Sequence, residues 1–129
     1  MIIQLNHTIV WSSDPATSSH FLADLLGRPA PTQFAHFHVV ELDNGVSLDF
    51  AHVQGAIQSQ HYAFLIEEAY FDAVIARIQA RALRYWADPM RTRPGEINHG
   101  DGGRGVYFAD PDDHLLEVIT RPYGSGAAG

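Results

Sequence analysis

The chain has no cysteine. That excludes a disulfide framework, a thiolate nucleophile and any cysteine-rich zinc site. It has no lysine either, because all eight of its basic residues are arginine. Fifteen acidic residues give a formal net charge of −7 and a pI near 5.4. A surface of that sign argues against nucleic acid or an anionic membrane as partner. No apolar run approaches the roughly 20 residues of a membrane span. The start, Met-Ile-Ile-Gln-Leu-Asn-His, lacks the basic and apolar regions of a secretion signal, so a cytoplasmic location is expected. What is present is enough for a core: 129 residues, 46% of them hydrophobic, fit one compact domain.

Apolar periodicity divides the chain into elements. Ile2–Trp11 reads as a strand, with Ile3, Leu5, His7, Ile9 and Trp11 on one face. Ser12, Ser13 and Asp14 offer N-caps, and Pro15 suits a first helical turn. Phe21, Leu22, Leu25 and Leu26 form a helical stripe that Gly27 ends. Phe34–Leu42 and Val46–Val53 read as strands around the Asp43-Asn44-Gly45 turn. After a linker, His61–Ile66 is a strand. Phe71, Val74, Ile75 and Ile78 mark a second helix, with Glu67 and Glu68 at its start. Asp88–Gly103 is long, rich in Gly and Pro, and of a length that is often functional. Gly105–Ala109 and His114–Thr120 form a last hairpin, and Gly124–Gly129 reads as a flexible tail. The order strand, helix, strands therefore occurs twice, in modules of about residues 1–55 and 59–123.

One residue does not fit a buried strand. Glu117 stands among Leu115, Leu116, Val118 and Ile119. An ionised carboxylate there must be paired, protonated, turned to a wet cavity or bound to a metal. Strand parity puts Glu117 on the face opposite Leu116 and Val118. The same parity puts His61 opposite Tyr62 and Phe64, and Asp49 opposite Leu48 and Phe50. His7 and His61 open the two modules, and Asp49 and Glu117 lie in their last strands. Two imidazoles and one carboxylate form a facial triad that leaves positions open on a divalent metal. Taken one at a time, a strand histidine is more often a hydrogen-bonded core or rim residue, and a strand glutamate more often an ion-pair residue. The argument rests on their matching places in the two modules.

The stretch Tyr107-Phe-Ala-Asp-Pro-Asp-Asp-His-Leu-Leu-Glu117, with Leu5-Asn-His-Thr-Ile-Val10 and Gln60-His-Tyr-Ala-Phe64, resembles the vicinal oxygen chelate superfamily. That superfamily includes glyoxalase I, fosfomycin- and bleomycin-resistance proteins and extradiol dioxygenases. The resemblance covers nearly the whole chain. It implies an α+β fold of two βαβββ modules, forming a curved mixed sheet, a half-barrel cup with helices outside. It also implies His7, His61 and Glu117 as ligands of one divalent metal ion (Fe, Ni, Mn or Zn), and a homodimer. The usual turn glycine is Asp113 here, which tolerates a left-handed conformation. Where glyoxalase I has a fourth ligand, this chain has Asp49, one methylene shorter, to bind directly, to bind through water, or to act as a base beside the metal.

Tyr107, opposite in parity to Val106 and Phe108, is a candidate proton donor. His99 is a candidate acid or base. Arg104 is a candidate clamp for a substrate anion, with a salt bridge to Asp110 or Asp112 as its plainer reading. Two functions compete. One is a metal-dependent enzyme of glyoxalase or dioxygenase type that binds adjacent oxygens of a small molecule and stabilises an enolate or oxyanion. The other is a binding protein of bleomycin-resistance type that sequesters its ligand without catalysis.

Overall fold

A computed structural model describes residues 1–126. The chain divides into two compact units, Met1–Gln58 and Ser59–Gly129.

In the first unit, β1 (His7–Ser12) is followed by α1 (Pro15–Leu26), β2 (Thr32–Phe34), β3 (Phe37–Glu41) and β4 (Ser47–His52). The strand order is β1-β4-β3-β2, with β1 parallel to β4 and the other pairs antiparallel. The Asp14 side chain caps α1 by accepting from the Thr17 N–H at 3.2 Å, and Pro15 occupies the first turn. Gly27 ends the helix in the left-handed conformation, φ 68°, which glycine adopts without a steric penalty. Phe21, Leu22, Leu25 and Leu26 are buried, as are Val40, Leu48 and Phe50 of the sheet.

Two expectations change in this unit. β1 begins at His7, not Ile2. Its partner β4 begins opposite it, with His7 across from Ser47, so residues 2–5 have no strand beside them. Ile2, Ile3 and Leu5 stay 82%, 85% and 67% exposed. The strand expected over Phe34–Leu42 is instead two strands joined by a turn at Ala35, whose φ is 54°. Phe34 and Phe37 close that turn as cross-strand partners.

The second unit repeats the plan. β5 (His61–Leu65) leads through a 3-10 turn (Glu68–Tyr70) to α2 (Phe71–Ala80), then β6 (Tyr85–Trp86), β7 (Gly105–Ala109) and β8 (Leu115–Ile119). The order is β5-β8-β7-β6, again with the first pair parallel and the rest antiparallel. Phe71, Val74 and Ile78 of α2 are fully buried, as are Val106 and Phe108 of β7 and Val118 of β8. The expected α+β class is borne out: each unit is an open mixed sheet of βαβββ order with its helix. Among the described residues no helix is long and apolar enough to cross a membrane.

The long segment after β6 is ordered by side chains. Asp88 accepts from the Thr92 N–H, the Thr92 hydroxyl and the Arg93 N–H at 2.6–3.1 Å. Asn98 donates from its side-chain amide to the Ala87 carbonyl at 2.8 Å. The β7–β8 turn survives without glycine: Asp113 takes φ 63°, and one carboxylate oxygen of Asp110 accepts from the N–H groups of Asp112 and His114 at 2.9 and 2.8 Å. Burial holds the Asp110 carboxyl above the usual range. Of the expected flexible tail, residues 127–129 lie outside the described residues. Gly124 and Gly126 are anchored, each donating its N–H to Asp101 Oδ1 at 3.1 Å.

Candidate functional site

The second unit gathers four polar side chains on the sheet face opposite Val106, Phe108, Leu116 and Val118. Glu117 lies on β8, across from Ala63 of β5 on one side and Tyr107 of β7 on the other. His61 opens β5 two residues before Ala63, so it shares Glu117's face. Glu117 is 1% exposed. Both of its oxygens are engaged. Oε1 faces His61 Nε2 at 3.1 Å, and Oε2 accepts from the Tyr123 hydroxyl. The Tyr107 hydroxyl lies 3.0 Å from that of Tyr123. Tyr123 has one proton, and it goes to Glu117; Tyr107 is therefore the donor in the tyrosine pair. The Tyr107 ring also stacks beside the His61 ring, with centroids 6.0 Å apart at 25°.

These contacts set the electrostatics. Burial, then the bond to Tyr123, pushes the Tyr107 hydroxyl above the normal phenol range. Burial, then the bond to Glu117, does the same for Tyr123. Both tyrosines therefore hold their protons at neutral pH.

The imidazole of His61 carries a second constraint. Its Nδ1 lies 2.9 Å from the Leu115 carbonyl, which can only accept, so Nδ1 is the donor. A neutral ring then has a lone pair at Nε2, aimed at a carboxylate oxygen. Two acceptors at 3.1 Å need a proton or a cation between them. A backbone carbonyl that fixes the tautomer and leaves Nε2 free is the usual support of a metal-binding histidine. Imidazole nitrogen and carboxylate oxygen also form the donor set that first-row divalent metals prefer. His61 and Glu117 therefore supply two donors of the kind a divalent metal takes.

The other expected residues are placed less favourably. His7 and Asp49 lie in the first unit and share a sheet face, as His7 pairs with Ser47 and Ile9 with Asp49. Their register repeats that of the second unit, where His61 pairs with Leu115 and the carboxylate stands two residues further along β8. The contacts differ. His7 Nδ1 faces Asn6 Oδ1 at 2.7 Å, and Asp49 accepts from the Ser47 hydroxyl at 2.8 Å. Among the described residues no three His, Asp or Glu side chains gather as a metal ion would need. Arg104 pairs with Glu68 and Asp72, not with Asp110 or Asp112. Its guanidinium donates to Glu68 and Asp72, both at 2.7 Å, and lies 4.5 Å over the Phe71 ring. It stands one residue from Gly105, on the parity opposite Tyr107, and so serves the helix side. His99 is exposed at the start of the 3-10 turn Gly100–Gly102 and is not bonded to the four-residue cluster.

Tyr123 was missed in the sequence. It follows the last strand in a Pro-Tyr-Gly context that reads as turn. The available signal was a tyrosine six residues beyond the buried carboxylate, with no apolar neighbours to pack on.

No family model matches the sequence. The solved structure of Oxidase ChaP-H2 is 57% identical, covering 98% of this chain and 100% of that one, with a TM-score of 0.96. Metallothiol transferase FosB of Shouchella clausii (strain KSM-K16) is 42% identical over 60 residues, which are 46% of this chain and 37% of that protein. The fosfomycin resistance protein FosX of Mesorhizobium loti shares the fold at a TM-score of 0.70 and 20% identity, covering 95% of each chain. The chain belongs to the vicinal oxygen chelate superfamily. Membership accounts for the repeated strand order. In this chain the Asp-Pro-Asp-Asp-His hairpin fixes β8 against β5: Gln60 donates its N–H to His114 Nδ1 at 3.0 Å, and Leu115 donates its N–H to the Gln60 carbonyl at 2.8 Å. That connection brings His61 beside Glu117.

Proposed function

We propose that this protein is a divalent-metal-dependent enzyme that oxidises a small molecule bearing adjacent oxygen donors. One observation carries the reading: the buried Glu117 Oε1 faces the lone-pair nitrogen of His61 at 3.1 Å, an arrangement a cation relieves. The likeness to an oxidase over the full chain favours oxidative chemistry over the glyoxalase and fosfomycin-type branches. Absence of lysine further disfavours a cationic phosphonate site.

His61 and Glu117 would hold the metal, with His7 as the third ligand. When bound, the metal would polarise the substrate's oxygens and support oxidation of the substrate's carbon framework by dioxygen, which would accept the electrons and be reduced. Tyr107 and Tyr123 keep a protonated, directed hydrogen-bond chain ending on Glu117, and Tyr107 is placed to hold or pass a proton beside His61. We further propose a homodimer in which the third imidazole is His7 of the partner subunit. In the first unit Ile2, Ile3, Leu5 and Trp11 are 82%, 85%, 67% and 47% exposed, apolar side chains that a second copy would cover. Asp49 would then act as a base near the metal rather than as a fourth ligand, since Ser47 already holds it.

Metal analysis of protein reconstituted with Fe(II), Mn(II) or Zn(II) tests this, beside His7→Ala, His61→Ala and Glu117→Gln. About one metal per chain in wild type and loss in all three variants is expected. Wild type without metal overturns the reading. Metal retained in His7→Ala alone removes His7 from the ligand set. Oxygen uptake with a panel of catechols and hydroxyquinones then tests the oxidative step.

A further inference from the structure

We propose that Tyr123, carried on a clamped strap over residues 121–126, is the positioning residue that aims Glu117 at the metal. The inference rests on the metal-site reading above.

The two oxygens of Glu117 have different partners, Oε1 facing His61 and Oε2 accepting from Tyr123. The bond from the Tyr123 hydroxyl to one oxygen fixes the plane of the carboxylate and so keeps the other directed at His61. The ring is otherwise 66% exposed, so packing does not explain its place. The strap does. The Asp101 carboxylate accepts from the N–H groups of both Gly124 and Gly126 at 3.1 Å. Arg121 donates to the Ser125 carbonyl at 2.9 Å. The Ser125 N–H and hydroxyl both donate to the Pro122 carbonyl.

Steric fit points the same way. A Cβ at Gly126 would stand 2.5 Å from Asp101 Cα, and one at Gly103 would stand 2.4 Å from Thr120 Oγ1 and 2.8 Å from Arg121 Cγ. Asp101 itself adopts φ 54°, ψ 27°, a left-handed conformation uncommon outside glycine. A strained turn, the approach of Gly126 to the Asp101 backbone, the approach of Gly103 to the Thr120 and Arg121 side chains, and two amides held by one carboxylate all fix a strap whose Tyr123 hydroxyl meets the buried carboxylate. Groups that orient a metal ligand from behind commonly contribute 10- to 100-fold in metal affinity.

The test compares wild type, Tyr123→Phe, Asp101→Ala and Glu117→Gln in competition with a chromophoric chelator for Co(II) and Zn(II), together with the visible ligand-field spectrum of the Co(II) forms. Tyr123→Phe should bind about tenfold or more weakly and show a shifted Co(II) spectrum, while its melting profile without metal stays close to wild type. Asp101→Ala should shift affinity the same way by a smaller factor. Wild-type affinity and spectrum in Tyr123→Phe overturn the proposal while leaving the metal site standing. Wild-type binding in Asp101→Ala beside weakened Tyr123→Phe overturns the clamp and supports the hydroxyl. Failure of wild type to bind metal overturns the site reading and this one with it.

Discussion

Glu117→Gln should separate stability from metal binding, and in opposite directions. In the metal-free protein the variant keeps an oxygen to accept from Tyr123 and gains an amide N–H to donate to His61 Nε2, which in wild type without a metal needs a proton to meet Oε1 at 3.1 Å. The Tyr123 bond loses its charge assistance, worth about 1 kcal/mol, and the new amide bond contributes about 1 kcal/mol. Removal of a buried charge adds to the gain. The metal-free variant should therefore lie within about 1 kcal/mol of wild type, or above it. With metal the order reverses. Wild type at a hundredfold excess over Kd gains about 2.7 kcal/mol. An unfolding entropy of about 2.1 cal/mol/K per residue, taken over 129 residues, converts that to about 10 °C in Tm. If the substitution weakens binding about a hundredfold, the same metal concentration gives only about 0.4 kcal/mol, or about 1.5 °C. Thermal unfolding with and without metal reads both effects. A metal shift in the variant equal to that of wild type refutes the ligand role. A metal-free variant destabilised by more than about 2 kcal/mol refutes the opposed-acceptor argument, because it would mean Glu117 is a satisfied structural ion.

Arg104→Ala should leave metal affinity unchanged, since its guanidinium is spent on Glu68 and Asp72; a drop measured by chelator competition would return it to the site. Gly103→Ala places a Cβ 2.4 Å from Thr120 Oγ1 and should cost about 1–3 kcal/mol in urea unfolding; a neutral result would mean that the loop before β7 does not approach residues 120 and 121 closely. Asp110→Asn keeps the oxygen that accepts from Asp112 and His114 and removes the ionisation. Burial raises the native Asp110 pKa, so the folded form holds its proton longer than the unfolded chain. Wild-type stability from this group is then greatest below the unfolded pKa and declines as pH rises through the native one. The variant should accordingly gain on wild type between acidic and neutral pH. A difference that stays flat across that window contradicts the assignment.

Much of the site could be read in the chain because period-two strands report their faces. Glu117, Tyr107 and His61 reach one face by parity alone, and the structure joins them through register: Tyr107 lies across from Glu117, and Ala63, two residues after His61, lies across from it on the other side. What escaped lacked periodicity. The turn at Ala35 carries neither glycine nor asparagine, so Phe34–Leu42 reads as one strand. Tyr85–Trp86 is too short to show alternation. Tyr123 reaches the site through a loop whose path is set by the carboxylate of Asp101, more than 20 positions away, and no local pattern encodes such a contact. Arg104 shows the converse. Its neighbours in sequence suggest Asp110 or Asp112, but the partners are supplied from the start of α2 by tertiary packing.

The two modules keep one topology and one register, yet their chemistry has separated, and side-chain length explains how. In each, a histidine opens the first strand and a carboxylate stands two residues beyond its partner on the last strand. In the second module glutamate has the reach to face the imidazole. In the first, Asp49 is one methylene shorter and turns to Ser47, two residues before it on β4, while His7 turns to Asn6. The second module also has what fixes a ligand from behind: a carbonyl on His61 Nδ1 and a hydroxyl on Glu117 Oε2. Asp49→Glu is therefore the informative exchange. If reach alone divides the modules, the longer side chain should contact His7 and raise metal affinity. If support from behind divides them, a glutamate with no hydroxyl to aim it should leave affinity as it was. The structure favours the second outcome, because Ser47 remains two residues away to capture whichever carboxylate stands at position 49.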